Sequence, residues 1–197
     1  MRKKSHISLA RYMVENLKDE ELKHHKFSFY LGSILPDIKP SFLYKRHEMD
    51  GTFPYVSRHI RRLSEGDALI RKKKGCKYYR DLGQISHYLA DYFTFPHNKT
   101  FDGTLRQHNS YEKHLKNELK AFVQEGKAEA YAEHVIHFET LNQLLEYIKV
   151  HHRRYMNCKR SVEEDIHYIL SVCYQVFQGL FQLCMKDPMA EYATAVM

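Results

Sequence analysis

The sequence lacks the residues that mark several protein classes. It contains no tryptophan, and only 8 glycines and 5 prolines occur among its 197 residues. Because glycine and proline are the residues that most often interrupt helices, their scarcity favours long helices. The 4 cysteines form no CxxC pair. Cys173 and Cys184 lie in an apolar stripe with helical spacing, which indicates reduced core thiols rather than a disulfide framework or a thiolate metal site.

Long apolar runs are absent as well. No stretch approaches the roughly 20 apolar residues that span a bilayer as a helix. Arg2, Lys3 and Lys4 resemble the start of a signal peptide, but no apolar segment of about 7–15 residues follows them. We therefore expect no transmembrane segment and no cleaved leader, and we predict a cytoplasmic protein.

What the sequence does contain predicts an all-α protein with a single domain. At 43% hydrophobic residues, a chain of 197 residues can bury a sizeable core. No repeat or linker divides it, so the predicted domain spans residues 1–197, folded as a bundle of about seven helices. Helices are predicted over residues 5–24, 54–63, 78–95, 105–124, 128–137, 140–157 and from residue 161 onward, with a short apolar segment over 27–35 and an irregular loop over 38–53.

The chain is basic, with a formal net charge of +7. Lysine and arginine concentrate in runs over residues 58–62, 71–77 and 153–160. Such runs usually belong to solvated surfaces. A summed charge of this sign also attracts anionic substrates and phosphate-bearing surfaces, so it favours an anionic partner without identifying the anion.

Residues 86–118 carry a pattern that is typical of a metal site. His87 and Asp91 are four residues apart and share one face of a helix, and His97 follows six residues after Asp91. His114 and Glu118 repeat the four-residue step on the next predicted helix. Borderline cations such as zinc bind imidazole nitrogen and carboxylate oxygen together, so these five residues are candidate metal ligands.

Some of these histidine spacings could arise by chance, and another histidine could take the place of one candidate ligand. The chain has 14 histidines, so single histidine pairs with helical spacing will arise by accident. A lone His87 would more often be a packed or solvated side chain, whereas the set of five is better explained by metal. His108 lies closer to His97 in the sequence and is a second candidate for the place of His114. We prefer His114 because Glu118 follows it by four residues and we keep these two residues as a pair.

Three further candidates lie upstream, at His6, Asp37 and His47. In chain order the candidate residues are His6, Asp37, His47, His87, Asp91, His97, His114 and Glu118. This order resembles the bacterial zinc-dependent phospholipase C family and the related fungal single-strand nucleases, which are all-α enzymes with three clustered zinc ions. The resemblance is specific over residues 87–118, where both four-residue steps and the six-residue step agree, and it covers roughly the first 120 residues.

The resemblance implies two complete zinc sites and a third that is partly shared. The first zinc ion would be bound by His47, His87 and Asp91. The second would be bound by His97, His114 and Glu118. Asp91 would also bridge to a third zinc, together with His6 and the N-terminal residue. In the secreted relatives that residue is a tryptophan exposed by cleavage, and this sequence contains none. Met1 lies five residues before His6, so its amine is the candidate replacement, and two to three zinc ions are expected.

Asp37 is the candidate catalytic residue. It follows Pro36 at the end of a short apolar segment, and the resemblance implies that it lies beside the attacking water as a base or as an additional ligand. Paired cations lower the pKa of water and neutralise charge on phosphoryl oxygens. The expected reaction is hydrolysis of a phosphodiester.

The substrate class stays open among three functions. Phe42, Tyr44, Phe53 and Tyr55 could surround the choline group of a phospholipid, although such residues more often pack in cores and loops. A nuclease needs aromatic rings interleaved with basic residues along a groove. The basic runs of this sequence are scattered and it contains no tryptophan, so it supports the nuclease function only weakly. A metal-binding protein without hydrolytic activity is the third alternative. An HD-type phosphohydrolase is excluded because no His-Asp dipeptide occurs.

Overall fold

The computed structural model describes residues 1–38, 47–65 and 75–185, and these residues contain eight α-helices and no strand. The all-α prediction is therefore confirmed. The helices are α1 (Lys3–Asn16), α2 (Glu20–His24), α3 (Lys26–Ile34), α4 (Met49–Glu65), α5 (Cys76–Tyr92), α6 (Leu105–Gln124), α7 (Leu141–Met156) and α8 (Val162–Met185). Short 3₁₀ turns occupy Leu35–Asp37, Phe95–His97 and Glu129–Ala132.

The first predicted helix is divided into two. α1 ends at Asn16, Leu17 is extended with φ −74° and ψ 112°, and a new helix begins at Glu20. The side chain of Asp19 caps this new helix by accepting a hydrogen bond from the backbone N–H of Leu22 at 2.7 Å. Aspartate is among the preferred N-cap residues, so Asp19 was the sequence signal for this break.

Two other predicted boundaries also differ. α4 begins at Met49, and Pro54 lies inside the helix rather than in its first turn. The buried side chains of Val56 and Ile60 hold this helix against the core, so tertiary packing offsets the hydrogen bond that proline cannot donate. The helix predicted over residues 128–137 is only a 3₁₀ turn at Glu129–Ala132.

α5 is surrounded by the rest of the bundle, as its pattern of apolar, small and ligand residues predicted. Its buried residues occur on every face, from Tyr78 to Tyr92. α3 approaches α5 closely because both helices carry glycine at the crossing. A Cβ atom on Gly83 would lie 2.2 Å from the carbonyl oxygen of Phe29, and one on Gly32 would lie 2.1 Å from that of Arg80. This contact places the backbone of α3 beside the ligand-bearing face of α5.

α8 forms a scaffold in the core. Its buried residues Ile166, Leu170, Cys173 and Phe177 follow the helical stripe that the sequence predicts, and Cys173 is a free thiol. Among the described helices, none combines the length and the apolar composition that crossing a membrane requires. Phe42, Tyr44 and the basic residues 71–74 lie outside the described residues.

Candidate metal centre

Asp91 lies at the centre of a buried cluster of nitrogen donors. Its side chain is fully buried. Its Oδ1 lies 2.5 Å from the Met1 amine and 3.4 Å from His6 Nε2. Its Oδ2 lies near three more imidazoles, at 2.9 Å from His47 Nδ1, 3.1 Å from His87 Nε2 and 3.6 Å from His97 Nδ1. Burial acts to raise the pKa of Asp91, but the surrounding imidazoles and the Met1 amine outweigh it and hold the pKa well below its ordinary value.

The orientation of His87 follows from the contact between α3 and α5. His87 Nδ1 lies 2.8 Å from the backbone carbonyl oxygen of Ser33. A carbonyl oxygen only accepts hydrogen bonds, so Nδ1 carries the proton and donates it. The lone pair of Nε2 therefore faces the cluster, where His47 Nδ1 lies 3.0 Å away. Hydrogen bonding of the distal ring nitrogen in this way is typical of histidines that bind metals.

Asp37 joins His47 and His87 from the 3₁₀ turn that follows α3. Its Oδ1 lies 3.5 Å from His87 Nε2 and 3.9 Å from His47 Nδ1. Burial raises the pKa of Asp37 above its ordinary value. The side chain of Asp37 is 11% exposed and that of Asp91 is 0% exposed, so solvent can reach Asp37 but not Asp91.

His6 has no hydrogen bond at either ring nitrogen, although its side chain is fully buried. Its ring stacks on that of His87, with centroids 3.8 Å apart and planes inclined by 16°. Burial lowers the pKa of His6 well below its ordinary value, so the ring is neutral and offers a lone pair. A buried polar nitrogen without a partner needs an explanation, and a metal ion near Asp91 provides one.

A second group of ligand atoms connects the Phe95–His97 turn to α6. Glu112 Oε1 lies 3.0 Å from His97 Nε2 and 3.2 Å from His108 Nε2. The Met1 amine lies 3.3 Å from the same oxygen and 2.9 Å from His97 Nε2. Burial would raise the pKa of Glu112, but its hydrogen bonds with His108 and His97 and the charge of the amine lower it.

The structure does not bring His114 and Glu118 to this cluster, in contrast to the sequence-based prediction. Their side chains are 62% and 53% exposed, and they lie 3.8 Å from each other on the surface of α6. A helix turns by about 100° per residue, so residues six positions apart point about 120° apart. His108 and Glu112 occupy the buried side instead.

A signal for the correct face of α6 was present in the sequence. Glu112 is buried together with Leu115 and Leu119, at steps of three and four residues. His108 precedes Glu112 by four residues, so this pair has the same spacing as His114 and Glu118. The apolar stripe distinguishes the two pairs, because only the first pair extends the stripe.

Sequence reasoning also missed the residue that anchors the turn carrying His97. Asp165 on α8 accepts a hydrogen bond from the backbone N–H of Phe95 at 2.9 Å. Its carboxylate also accepts hydrogen bonds from the hydroxyl groups of Tyr111 at 3.0 Å and Tyr155 at 2.7 Å. Burial raises the pKa of Asp165 to about 6. Asp165 lies more than 50 residues from every candidate ligand in the sequence, so no local pattern identifies it.

The donor set fits a borderline divalent cation. Four overlapping triads of ligand atoms, each within 4.8 Å, together comprise His6, Asp37, His47, His87, Asp91, His97, His108 and Glu112. All donors are imidazole nitrogens or carboxylate oxygens, and several are shared between triads. Zinc binds this combination, and shared ligands are compatible with more than one ion.

A family model described as zinc-dependent phospholipase C matches residues 5–162. The chain belongs to this family. The match extends from α1 to the first residue of α8, further than the roughly 120 residues over which the sequence motifs agree. The family resemblance predicted from those motifs is confirmed, and membership indicates a zinc-dependent hydrolase. No curated protein and no solved structure matches the chain significantly.

Proposed function

We propose that this member of the zinc-dependent phospholipase C family hydrolyses phosphodiesters and uses zinc bound at the Asp91 cluster. The observation that carries the proposal is the convergence of four imidazoles and an amine on one fully buried carboxylate. Such a cluster without cations would cost stability, because its lone pairs face one another away from water. A bound cation both satisfies these donors and supplies the chemistry of the family.

Three sets of donors would hold the zinc ions. These sets are His47 and His87 with Asp91, His97 and His108 with Glu112, and His6 and the Met1 amine with Asp91. The first set is the same as the one predicted from the sequence. In the second set, His108 and Glu112 take the places predicted for His114 and Glu118. The third set applies to a chain whose free amine belongs to Met1, and it makes the number of ions two or three.

The two central carboxylates, Asp37 and Asp91, would have different roles. Bound zinc supplies Lewis-acid polarisation of phosphoryl oxygens and lowers the pKa of water. Asp91 is inaccessible to solvent, so its part is to hold charge in the core. Asp37 is partly exposed and lines the cavity next to the cluster, so it can orient the attacking water and accept its proton.

The direct test is hydrolysis together with zinc content. Wild-type protein with its native N-terminus should bind two to three zinc ions and should hydrolyse bis(p-nitrophenyl) phosphate and a short-chain phosphatidylcholine. Chelation should abolish both activities. Asp37→Asn should retain most of the zinc while kcat falls by about 10²-fold or more, because the change removes the base but keeps the shape of the side chain.

Other outcomes would replace this proposal. Zinc-loaded protein that hydrolyses no phosphodiester would be a metal-binding protein without this activity. Single-stranded DNA should be assayed in parallel over a series of salt concentrations, because binding to many phosphates weakens steeply with salt. If DNA is the better substrate and its cleavage falls steeply, the protein is a nuclease.

A further inference from the structure

A cavity of about 600 Å³ adjoins the candidate metal centre. Five of the candidate ligand residues line it, namely Met1, Asp37, His97, His108 and Glu112. A substrate whose phosphate reaches these residues would therefore place a neighbouring group in the same cavity. The rest of the lining decides which groups fit there.

The rest of the lining is strongly cationic. Arg2, Lys3, Lys4 and Lys116 line the cavity, and they come from both sides of it, on or next to α1 and on α6. The Arg2 guanidinium donates a hydrogen bond to the backbone carbonyl oxygen of Asn109 at 3.0 Å, which ties it to α6. Within residues 1–38, 47–65 and 75–185, no carboxylate forms an ion pair with any of the three lysines.

The carboxylates of the cavity do not offset these charges. The two acidic residues of the lining, Asp37 and Glu112, both belong to the candidate metal centre. Zinc at that centre would add further positive charge. The potential in the cavity therefore favours a second negative group on the substrate, beyond the phosphate that is hydrolysed.

The aromatic residues that could bind choline contribute nothing to this cavity in the described part of the chain. Phe53 lies beside Tyr92 and Lys149, and Tyr55 packs between His59 and Tyr88. Neither Phe53 nor Tyr55 lines the cavity. Among the described lining residues, a quaternary ammonium group would meet like charges and no phenyl or phenol ring to compensate, and such contacts select against a ligand.

We propose that the cavity selects phosphoesters that carry a second anionic group, a carboxylate or a phosphate, next to the scissile phosphate. Lys4 and Lys116 determine this specificity together with Arg2 and Lys3. The inference rests on the proposed function for the identity of the reaction. The same chemistry occurs in anionic lipid head groups and in soluble diesters, and the experiment separates these two sources.

The first measurement compares two chromogenic esters with the same leaving group. One is p-nitrophenyl phosphocholine, and the other is the matching diester whose flank ends in a carboxylate. Zinc-loaded wild-type protein should show a kcat/KM about tenfold higher for the carboxylate ester at low salt, and this preference should shrink as salt rises. Equal rates, or a preference for the choline ester, would overturn the inference.

Matched double variants assign the preference to the cavity. Lys4→Gln/Lys116→Gln should lower the ratio of the two kcat/KM values severalfold. Arg11→Gln/Lys113→Gln removes the same charge from exposed positions on α1 and α6 that do not line the cavity, and it should leave the ratio within about twofold of wild type. If both variants change the ratio equally, net charge rather than the cavity is responsible.

Binding provides a readout that does not depend on catalysis. Calorimetry on zinc-loaded protein should show tighter binding of 2-phosphoglycolate than of phosphocholine, with the difference reduced in Lys4→Gln/Lys116→Gln. If this pattern holds while neither ester is hydrolysed, the proposed function fails and the selectivity stands. If the two ligands bind equally, the selectivity fails even where hydrolysis succeeds.

Lipid and soluble sources are compared in a final pair of assays. The rate of hydrolysis is compared between phosphatidylserine and phosphatidylcholine vesicles, and between glycerophosphoserine and glycerophosphocholine in solution. A preference for the serine compound among vesicles identifies a lipid head group, and one confined to the glycerol diesters identifies a soluble substrate. A preference in neither pair would contradict the inference.

Discussion

Two helices supply four of the eight candidate ligand side chains, and they differ in how far sequence reasoning could place those ligands. On α5, His87 and Asp91 are the residues predicted from spacing, and both lie in the cluster. On α6, the predicted pair His114 and Glu118 is exposed, and the cluster contains residues six positions earlier.

The difference comes from the surroundings of the two helices. α5 is buried on every face, so a buried charged residue such as Asp91 requires a partner in the core. α6 buries only Glu112, Leu115 and Leu119 and exposes most of its other side chains. A histidine–glutamate pair on such a helix is ordinarily a solvated pair, and only the packed face turns it into a ligand pair.

The largest expected effect lies on α5. Asp91→Ala should remove the zinc bound with Asp91 and leave at most the ion bound with His97, His108 and Glu112. It should also lower the free energy of unfolding of the zinc-free protein by about 3–5 kcal/mol, because it takes the nearest carboxylate away from the buried Met1 amine. Urea unfolding and zinc content measure the two effects. Asp50→Ala removes an exposed partner of Lys99 and should change stability by less than about 0.5 kcal/mol. An unchanged zinc content in Asp91→Ala would refute the central role of this carboxylate.

The next effect tests α6 directly. His108→Ala should remove the zinc bound with His97 and Glu112 and should lower kcat/KM at least about tenfold. His114→Ala is the matched control on the same helix, and its kcat/KM should stay within about twofold of wild type because the side chain is exposed. The reverse result would restore the pair predicted from the sequence.

A smaller effect is expected where the N-terminal amine connects the two helices. The amine lies 2.5 Å from Asp91 on α5 and 3.3 Å from Glu112 on α6. A chain extended by Gly-Ser before Met1 replaces this amine with an amide, which binds zinc poorly at neutral pH. Zinc content should fall by one ion per chain while the helical content remains unchanged. An unchanged zinc content would exclude the amine as a ligand.

The smallest effect concerns Asp165, which supports the turn between α5 and α6. The groups facing it are the Tyr111 and Tyr155 hydroxyls and the Phe95 N–H, and the Met1 amine acts from further away. Its folded-state pKa is raised to about 6 from an ordinary value of 3.8, so the stability that its protonated form contributes is present below pH 3.8 and is lost as pH rises through 6. This contribution amounts to at most about 3 kcal/mol.

Asp165→Asn should remove that dependence. The zinc-free variant should gain stability relative to wild type as pH rises from about 4 to about 6. Parallel denaturant titrations of both proteins measure the difference at each pH. If the difference in stability between the two proteins stays constant across this range, the pKa of Asp165 is not raised by folding.

The local features of the fold were the most predictable. The bounds of α6 follow from the capping box of Thr104 and Gln107 and from the glycine at position 126, whose φ is 72°. The start of α4 was not predictable in the same way, because Pro54 is a strong local signal for a first turn. The packing of Val56 and Ile60 against the core outweighs that signal.

The sequence by itself determined the helical class, the family and the candidate ligands of α5. Scarce helix breakers favour helices, and a four-residue step places two side chains on one face whatever surrounds the helix. The tertiary structure alone decided which face of α6 meets the cluster, that the Met1 amine joins it, and that Asp165 holds the His97 turn. The reason is that spacing defines positions within one helix, whereas the face that is buried depends on a partner distant in the chain.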